Sequence, residues 1–371
     1  MSYFNTNIAS QTFTLRGVAY TREQLLSDTF IGFYTPVILS AEQKQYETAI
    51  LSFLKDWYAE IPTMTLHTSG STGTPKSITV YKEQMMHSAM MTCEALQLYD
   101  GCKALLCLPV HYVAGVMVLV RALVAAWNVI PIAPCGNPVM QTNEQFDFTA
   151  LIPMQVYNAF ESSNGMERLN NIRTIIIGGA AVSTSLESRI GQLTSACYST
   201  YGMTETLSHI ALRKLNGKEA SMYYHVMQGV NISLSEDETL VVYAPGVNSE
   251  LLQTNDICEI KNEREFKVLG RRDNVIISGG VKLFVEDIEH KLSDYIRVPF
   301  AITAISNERF GEAVVLLVEK QGFEVNKEVI SDLLLPYERP KQILYVDEIP
   351  MTTSGKLARK SIRDLAGLLL K

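Results

Sequence analysis

The chain has no Cys-x-x-Cys pair, no run of basic residues, no internal repeat and no low-complexity linker. Each absence removes a class of function. The six cysteines (Cys93, Cys102, Cys107, Cys135, Cys197 and Cys258) are scattered, mostly among apolar neighbours, with no Cys-x-x-Cys pair. That pattern excludes a disulfide framework or a zinc ribbon and reads as reduced core residues of a cytosolic protein. A formal net charge of -7 without a basic cluster argues against nucleic acid or an anionic membrane as the main partner. No positively charged lead runs into an apolar stretch at the N-terminus, so no secretory signal is expected. Gly115 to Pro134 is apolar enough to imitate a membrane span, but Arg121 interrupts it, and Asn128 with Pro131 predicts a helix followed by a strand. Small molecules remain as partners, in a soluble cytoplasmic protein for which a homo-oligomer is also compatible.

At 371 residues the chain exceeds the size at which single cores stop growing, and 47% hydrophobic residues supply ordinary cores. Lys82 to Leu98 reads as a helix, with Met85, Met86, Ala89, Met90 and Cys93 at helical spacing as core packing. Strands are expected at Ala104 to Leu108, Val129 to Ala133, Thr149 to Ile152 and Thr174 to Ile177, with helices at Gly115 to Trp127 and from about Ser183. Alternation of this kind predicts an α/β architecture with a mainly parallel sheet. After Asn231 short strands at Leu240 to Tyr243, Ile257 to Lys261 and Glu265 to Leu269 predict a more antiparallel, β-rich section. Beyond Asp273 a mixed tail is expected, with a helix at Val285 to Leu292, strands at Ala301 to Ile305 and Ala313 to Glu319, and a last helix after Lys356. The reading is a large layered α/β domain over residues 1–272 and a small mobile α+β domain over residues 273–371. Residues 1–64 match no motif.

Thr68-Ser69-Gly70-Ser71-Thr72-Gly73-Thr74-Pro75-Lys76 is the richest segment. Glycines let backbone N–H groups turn toward an anion, hydroxyls donate further hydrogen bonds, and the lysine adds charge. It is not a Walker A loop, because Pro75 precedes Lys76 where that pattern needs Gly-Lys-Ser/Thr. By itself the segment also fits an ordinary Gly/Ser-rich turn. A second Ser-Gly-Lys turn stands almost at the C-terminus, in Pro350-Met351-Thr352-Thr353-Ser354-Gly355-Lys356-Leu357-Ala358-Arg359. Too little sequence follows it to build a nucleotide domain, so Lys356 must act on something held elsewhere.

With Tyr201-Gly202-Met203-Thr204-Glu205 and Gly270-Arg271-Arg272-Asp273 between them, these segments resemble, in this order, the adenylate-forming superfamily of acyl-CoA synthetases, adenylation domains and luciferases. The resemblance runs from about Thr65 to Arg359. It implies ATP and Mg2+ as cofactors and CoA as co-substrate, with a carboxylate attacking the α-phosphate while pyrophosphate leaves. It implies that Thr68, Ser69, Gly70, Ser71, Thr72, Gly73 and Lys76 hold phosphates. Lys356 would reach the reacting oxygens, and Glu205 would hold magnesium beside Thr204. Tyr201 would lie against the adenine with Gly202 also in the ATP site, Gly178, Gly179 and Ala180 would line the adenine pocket, and Asp256 with Arg271 would meet the ribose. Asn255 stands where the family usually has glycine. The resemblance also places a hinge at Asp273 and a pantetheine tunnel at Ser278, Gly279 and Gly280, a segment that on its own fits a simple turn. No carrier-protein segment follows Lys371, so free CoA is the expected acceptor.

The acid is read from fewer residues. Leu108-Pro109-Val110-His111-Tyr112-Val113-Ala114-Gly115 is similar to the family's pocket segment, with Tyr112 in place of the usual histidine and His111 one position earlier. Arg121 lies on an otherwise apolar helix, where an unpaired charge is costly. Its partner is either an internal Asp or Glu or a second carboxylate on the substrate. Arg121 together with Tyr201 to Ser208 resembles the o-succinylbenzoate–CoA ligases of menaquinone biosynthesis, whose substrate is a dicarboxylate. On that resemblance Arg121 binds the benzoate carboxylate and Ser208 shapes the pocket. A synthetase for another acid and a silent adenylate-binding protein are the alternatives.

Overall fold

The structure is a computed structural model in which residues 4–35, 38–67, 77–352 and 357–370 are described. A thirteen-stranded mixed sheet organises the larger part. Strands Phe13–Leu15, Asn128–Pro131, Lys103–Leu106, Phe146–Leu151, Ile172–Ile177 and Ala196–Gly202 lie side by side in that order, all parallel. Most are apolar along their length because helices cover a parallel sheet on both faces. Ile172–Ile177, for example, exposes Arg173 alone.

The sheet then continues as an antiparallel run through His209–Lys214, Tyr224–Val226, Glu265–Arg271, Asn248–Asn262, Thr239–Ala244 and Asn231–Leu234. Antiparallel pairing therefore starts at His209, earlier than the expected onset after Asn231. The reversal is made by the single turn Thr204–Thr206 and by Leu207 at φ +64, a left-handed residue that is not glycine. Such a turn carries no Gly or Pro to announce it.

Residues without a motif at the N-terminus complete this body. The hairpin of Phe13–Leu15 and Val18–Tyr20 forms one sheet edge. Helix Ala41–Tyr58 buries Ile50, Phe53, Leu54 and Trp57 in the main core, and its Tyr46 hydroxyl donates to the Leu108 carbonyl at 2.6 Å. Met85, Met86, Ala89 and Cys93 are buried core residues of helix Lys82–Leu96, as their spacing predicts. The apolar stretch after Gly115 is helix Val113–Val124 followed by strand Asn128–Pro131. No helix among the described residues is long and apolar enough to cross a membrane. All six cysteines are free, and Cys135 alone is exposed.

From Val275 onward the chain builds a separate five-stranded sheet: Val275–Ser278, Val281–Phe284, Phe300–Asn307, Gly311–Glu319 and Gln342–Val346. Both faces are covered. Val314, Leu316 and Val318 pack with Val285, Ile288 and Leu292 of helix Val285–Leu292, whereas Val315 and Leu317 pack with Ile362 and Ala366 of helix Arg359–Leu369. The period-2 alternation of a strand thus feeds two cores. Neither core shares a buried residue with those of the large sheet.

Candidate active site

Three strands of the parallel sheet, two of them neighbours and the third one strand further along, place candidate residues at their C-terminal ends, the position where open α/β sheets bind ligands. His111 and Tyr112 follow strand Lys103–Leu106, Gly178, Gly179 and Ala180 follow Ile172–Ile177, and Tyr201 to Ser208 end or follow Ala196–Gly202. Close packing, against a side chain at one and against backbone at the other, explains two of the glycines. A Cβ on Gly178 would sit 2.4 Å from Thr200 Oγ1, and one on Gly202 would sit 2.4 Å from the Ser208 carbonyl oxygen and 2.6 Å from His209 Cα. Gly179 has φ +85, and it and Ala180 are exposed.

Tyr201 and Asp256 come together although 55 positions apart: the phenol donates to Asp256 Oδ2 at 2.6 Å. Burial, and then the Asp256 carboxylate, push the phenol pKa up, so the hydroxyl stays protonated as a donor. Phe266 meets the Tyr201 ring edge-on with centroids 5.0 Å apart, which fixes its plane. Asp256 and Arg271 are cross-strand partners, and Arg271 Nη1 reaches Asp256 Oδ1 at 3.4 Å while its Nη2 reaches Asp273 Oδ2 at 3.4 Å. Asn255, the departure from the family pattern, is used here: its Nδ2 donates to Asp273 and its Oδ1 accepts from Arg272. Asp273 thus sits between Arg271 and Asn255, in the turn that leads into the small sheet.

Thr204 and Glu205 occupy the reversing turn. The Glu205 side chain is exposed, while its backbone carbonyl accepts from Asn248. No group of three or more His, Cys, Asp or Glu among the described residues could hold a metal. A single free carboxylate suits magnesium, which is commonly bound by one or two carboxylates together with substrate phosphates.

The rings of His111 and Tyr112 lie 4.2 Å apart, and Tyr112 caps helix Val113–Val124. Every residue of that helix from Gly115 to Val124 is buried, and each large apolar side chain contributes about 1.5–3 kcal/mol. Those residues hold Arg121, 1% exposed, inside the protein. The internal Asp or Glu allowed as its partner is not there: no described carboxylate pairs with it, and the remaining residues include no Asp or Glu. Instead Nη2 donates to Ser208 Oγ at 2.8 Å, and Nε has no partner among the described residues. Burial pulls the guanidinium pKa down to about 10, which still leaves it charged at neutral pH. Ser208 Oγ in turn lies 3.3 Å from His209 Nδ1, and His209 Nε2 lies 3.1 Å from Thr92 Oγ1.

The small sheet carries the remaining candidates. Ser278 is buried at a strand end, and Gly279 (φ +59) with Gly280 (φ +82) makes the two-residue turn to Val281, a geometry that favours glycine at both positions. Thr68 to Lys76 and Lys356 lie outside the described residues. Met351 and Leu357, on either side of the Lys356 segment, form an antiparallel bridge, and Arg359 binds both oxygens of Glu289 at 2.6 and 2.7 Å. Sequence reasoning missed His209, Thr92 and Tyr46. His209 directly follows Ser208, but nothing in the pattern marked it, since a lone histidine at a strand start carries no signal.

The chain belongs to the AMP-binding enzyme family, whose profile matches residues 39–255, more than half of the chain. Among its relatives, the 2-succinylbenzoate–CoA ligase of Listeria innocua is 24% identical over 402 residues, covering 98% of this chain and 83% of that one. An acyl-CoA synthetase (AMP-forming)/AMP-acid ligase II-like protein from Dyadobacter fermentans has a similar solved structure, with a TM-score of 0.61 and 33% identity over 87% of this chain and 95% of that one. The o-succinylbenzoate CoA synthetase of Bacillus subtilis, solved with its acyl-adenylate intermediate, shares the fold at a TM-score of 0.68 and 20% identity over 81% of this chain and 68% of that one.

Proposed function

We propose that this protein is an ATP-dependent acid–thiol ligase that converts o-succinylbenzoate and CoA to o-succinylbenzoyl-CoA, a step of menaquinone biosynthesis. In the first half-reaction a succinyl carboxylate oxygen bonds to the α-phosphorus, the bond to the β-phosphate oxygen breaks, and pyrophosphate leaves. In the second, the CoA sulfur bonds to the acyl carbon, AMP departs with the oxygen, and the thiol proton is released.

Asp256 and Arg271 hold the ribose, Tyr201 and the backbone at Gly178 to Ala180 and Gly202 hold the adenine, and Thr204 meets the phosphate. Glu205 is the magnesium ligand. Magnesium, when bound, offsets the charge of the phosphates. Thr68 to Lys76 hold the phosphate tail, and Lys356 neutralises charge gathering between carboxylate and α-phosphate. Residues 273–371 act as a lid turning about Asp273, so that Lys356 gives way to Ser278, Gly279 and Gly280 as the thiol arrives.

The observation that carries the choice of acid is Arg121, a charged side chain inside an apolar helix with a serine hydroxyl and no carboxylate. An unpaired buried charge costs several kcal/mol, and a carboxylate brought by the substrate removes that cost on binding. His111 and Tyr112, at the start of the same helix, flank the acid. The listening assay is pyrophosphate release with o-succinylbenzoate, the same keto acid without its ring carboxylate, and simple aryl and alkyl acids. Strong preference for o-succinylbenzoate is the expected result. Equal rates with and without the ring carboxylate reject the proposed substrate, and silence with every acid favours a binding protein.

A further inference from the structure

Four hydrogen bonds run in series from Arg121 into the core. Arg121 Nη2 reaches Ser208 Oγ at 2.8 Å, and Ser208 Oγ lies 3.3 Å from His209 Nδ1. His209 Nε2 lies 3.1 Å from Thr92 Oγ1, which reaches the Ser88 carbonyl oxygen at 3.2 Å. Arg121, His209, Thr92 and Ser88 are all buried, so water is a poor substitute for any missing partner.

The two ends of the series have fixed roles, because a guanidinium only donates and a carbonyl only accepts. Each hydroxyl between them carries one hydrogen. If Ser208 accepts from Arg121 and donates to His209 Nδ1, then the imidazole proton is on Nε2. It is donated to Thr92, whose own hydrogen goes to Ser88. Every hydrogen in the series then has an acceptor. Placing the imidazole proton on Nδ1 instead gives Ser208 two donors and leaves its hydrogen with no acceptor in the series.

We propose that His209 is a positioning residue for the Arg121 anchor: a neutral imidazole carrying its proton on Nε2, which takes the Ser208 hydrogen and so keeps a serine lone pair facing the guanidinium. The assignment rests on the reading of Arg121 as the site of the substrate's ring carboxylate. Three elements are joined by it: helix Val113–Val124, helix Lys82–Leu96 and the start of strand His209–Lys214. Without the acceptor at Nδ1, the serine hydroxyl is free to turn its hydrogen toward Arg121, which then swings away from the position that meets the acid.

The tautomer is read from nitrogen-15 imidazole spectra of the wild-type protein, with His209→Asn used to assign the signal. An unprotonated Nδ1 and a protonated Nε2 at neutral pH are expected, and the opposite tautomer or an imidazolium overturns the proposal. In kinetics, His209→Leu should raise KM for o-succinylbenzoate roughly tenfold and leave kcat within about twofold. KM for the analogue lacking the ring carboxylate should not move. His209→Asn, whose Oδ1 can replace the Nδ1 acceptor, should restore most of the loss. An unchanged KM in His209→Leu, or equal rises for both acids, overturns the positioning role while Arg121→Leu remains impaired. If Arg121→Leu also keeps its KM, the dicarboxylate reading fails first and takes this assignment with it. Should His209→Leu not fold, the wild-type spectra and the asparagine variant still decide.

Discussion

Arg121 on one helix and Ser208 on the turn after the sixth parallel strand are joined by a 2.8 Å hydrogen bond, although 87 positions separate them. A hydroxyl orients a guanidinium but does not neutralise it. The result is a buried cation held in place and short of an anion, whose charge survives at neutral pH because its pKa falls only to about 10.

Replacing that cation should move binding and stability in opposite directions. Arg121→Leu is expected to raise KM for o-succinylbenzoate by about 10- to 100-fold, the worth of a charge-assisted contact. The ligand-free variant should melt no lower than wild type, since an unpaired buried charge has been removed. Steady-state kinetics and a thermal melt check both halves. Lower stability with an unchanged KM would show that Arg121 is a structural residue.

Tyr201→Phe removes the hydroxyl that donates to Asp256 Oδ2. The Asp256 carboxylate then loses one of the two groups that orient it. KM for ATP should rise about 10- to 100-fold, the usual worth of one hydrogen bond to a charged group, with KM for the acid unchanged. A change confined to the acid would contradict the assignment of Asp256 to the nucleotide.

Gly202→Ala tests how the two halves of the site are coupled. The added methyl would meet the Ser208 carbonyl oxygen at 2.4 Å and His209 Cα at 2.6 Å, both backbone atoms that cannot rotate away. The strand must shift, at a cost on the order of 1–3 kcal/mol. Because the shifted residues are Ser208 and His209, KM for the acid should rise although Gly202 itself is assigned to the nucleotide. Wild-type melting and kinetics would show that the turn absorbs the methyl.

His209 should leave a mark on the acid side of the stability curve. Burial, and then the charge of Arg121, hold its pKa well below 6.5, so the folded protein keeps the imidazole neutral. The unfolded chain takes up that proton as pH falls through about 6.5. Stability from this group is therefore complete above that pH and declines below it, by up to about 1.4 kcal/mol per pH unit. Urea unfolding at pH 7.5 and 5.5 should show a steeper loss for wild type than for His209→Asn. Equal losses would mean that the histidine titrates alike in both states.

Lys356→Ala separates the half-reactions. Adenylate formation should be abolished, whereas attack of CoA on preformed acyl-adenylate should be largely spared. Equal loss of both would refute a lid that withdraws its lysine before the thiol arrives.

Much of the architecture was legible along the chain because it is written in local periodicity. Helix Val285–Leu292 has the bounds that its pattern predicts, and the strand-helix alternation from Lys103 to Ile190 is present with ends shifted by a few residues. The early onset of antiparallel pairing was not legible, because Leu207 makes a left-handed turn without the glycine that usually signals one. Nor was the partner of Arg121. A helix of ten consecutive buried positions shows that a charge must be satisfied, but not by what, and the answer came from a loop far along the chain.

Hydrophobic period, which acts over a few residues at a time, was enough to predict a large α/β section and a small α+β section beyond Asp273, and the ordered motifs were enough to point to the adenylate-forming family. Only the tertiary structure decided that Tyr201 meets Asp256, that Asn255 serves Asp273, and that Thr92, His209 and Ser208 form a line ending at Arg121. Those pairings follow from which strand ends become neighbours when the sheet assembles. Hydrogen bonds, with their short reach, then select among the atoms that the sheet has brought within about 3 Å of each other.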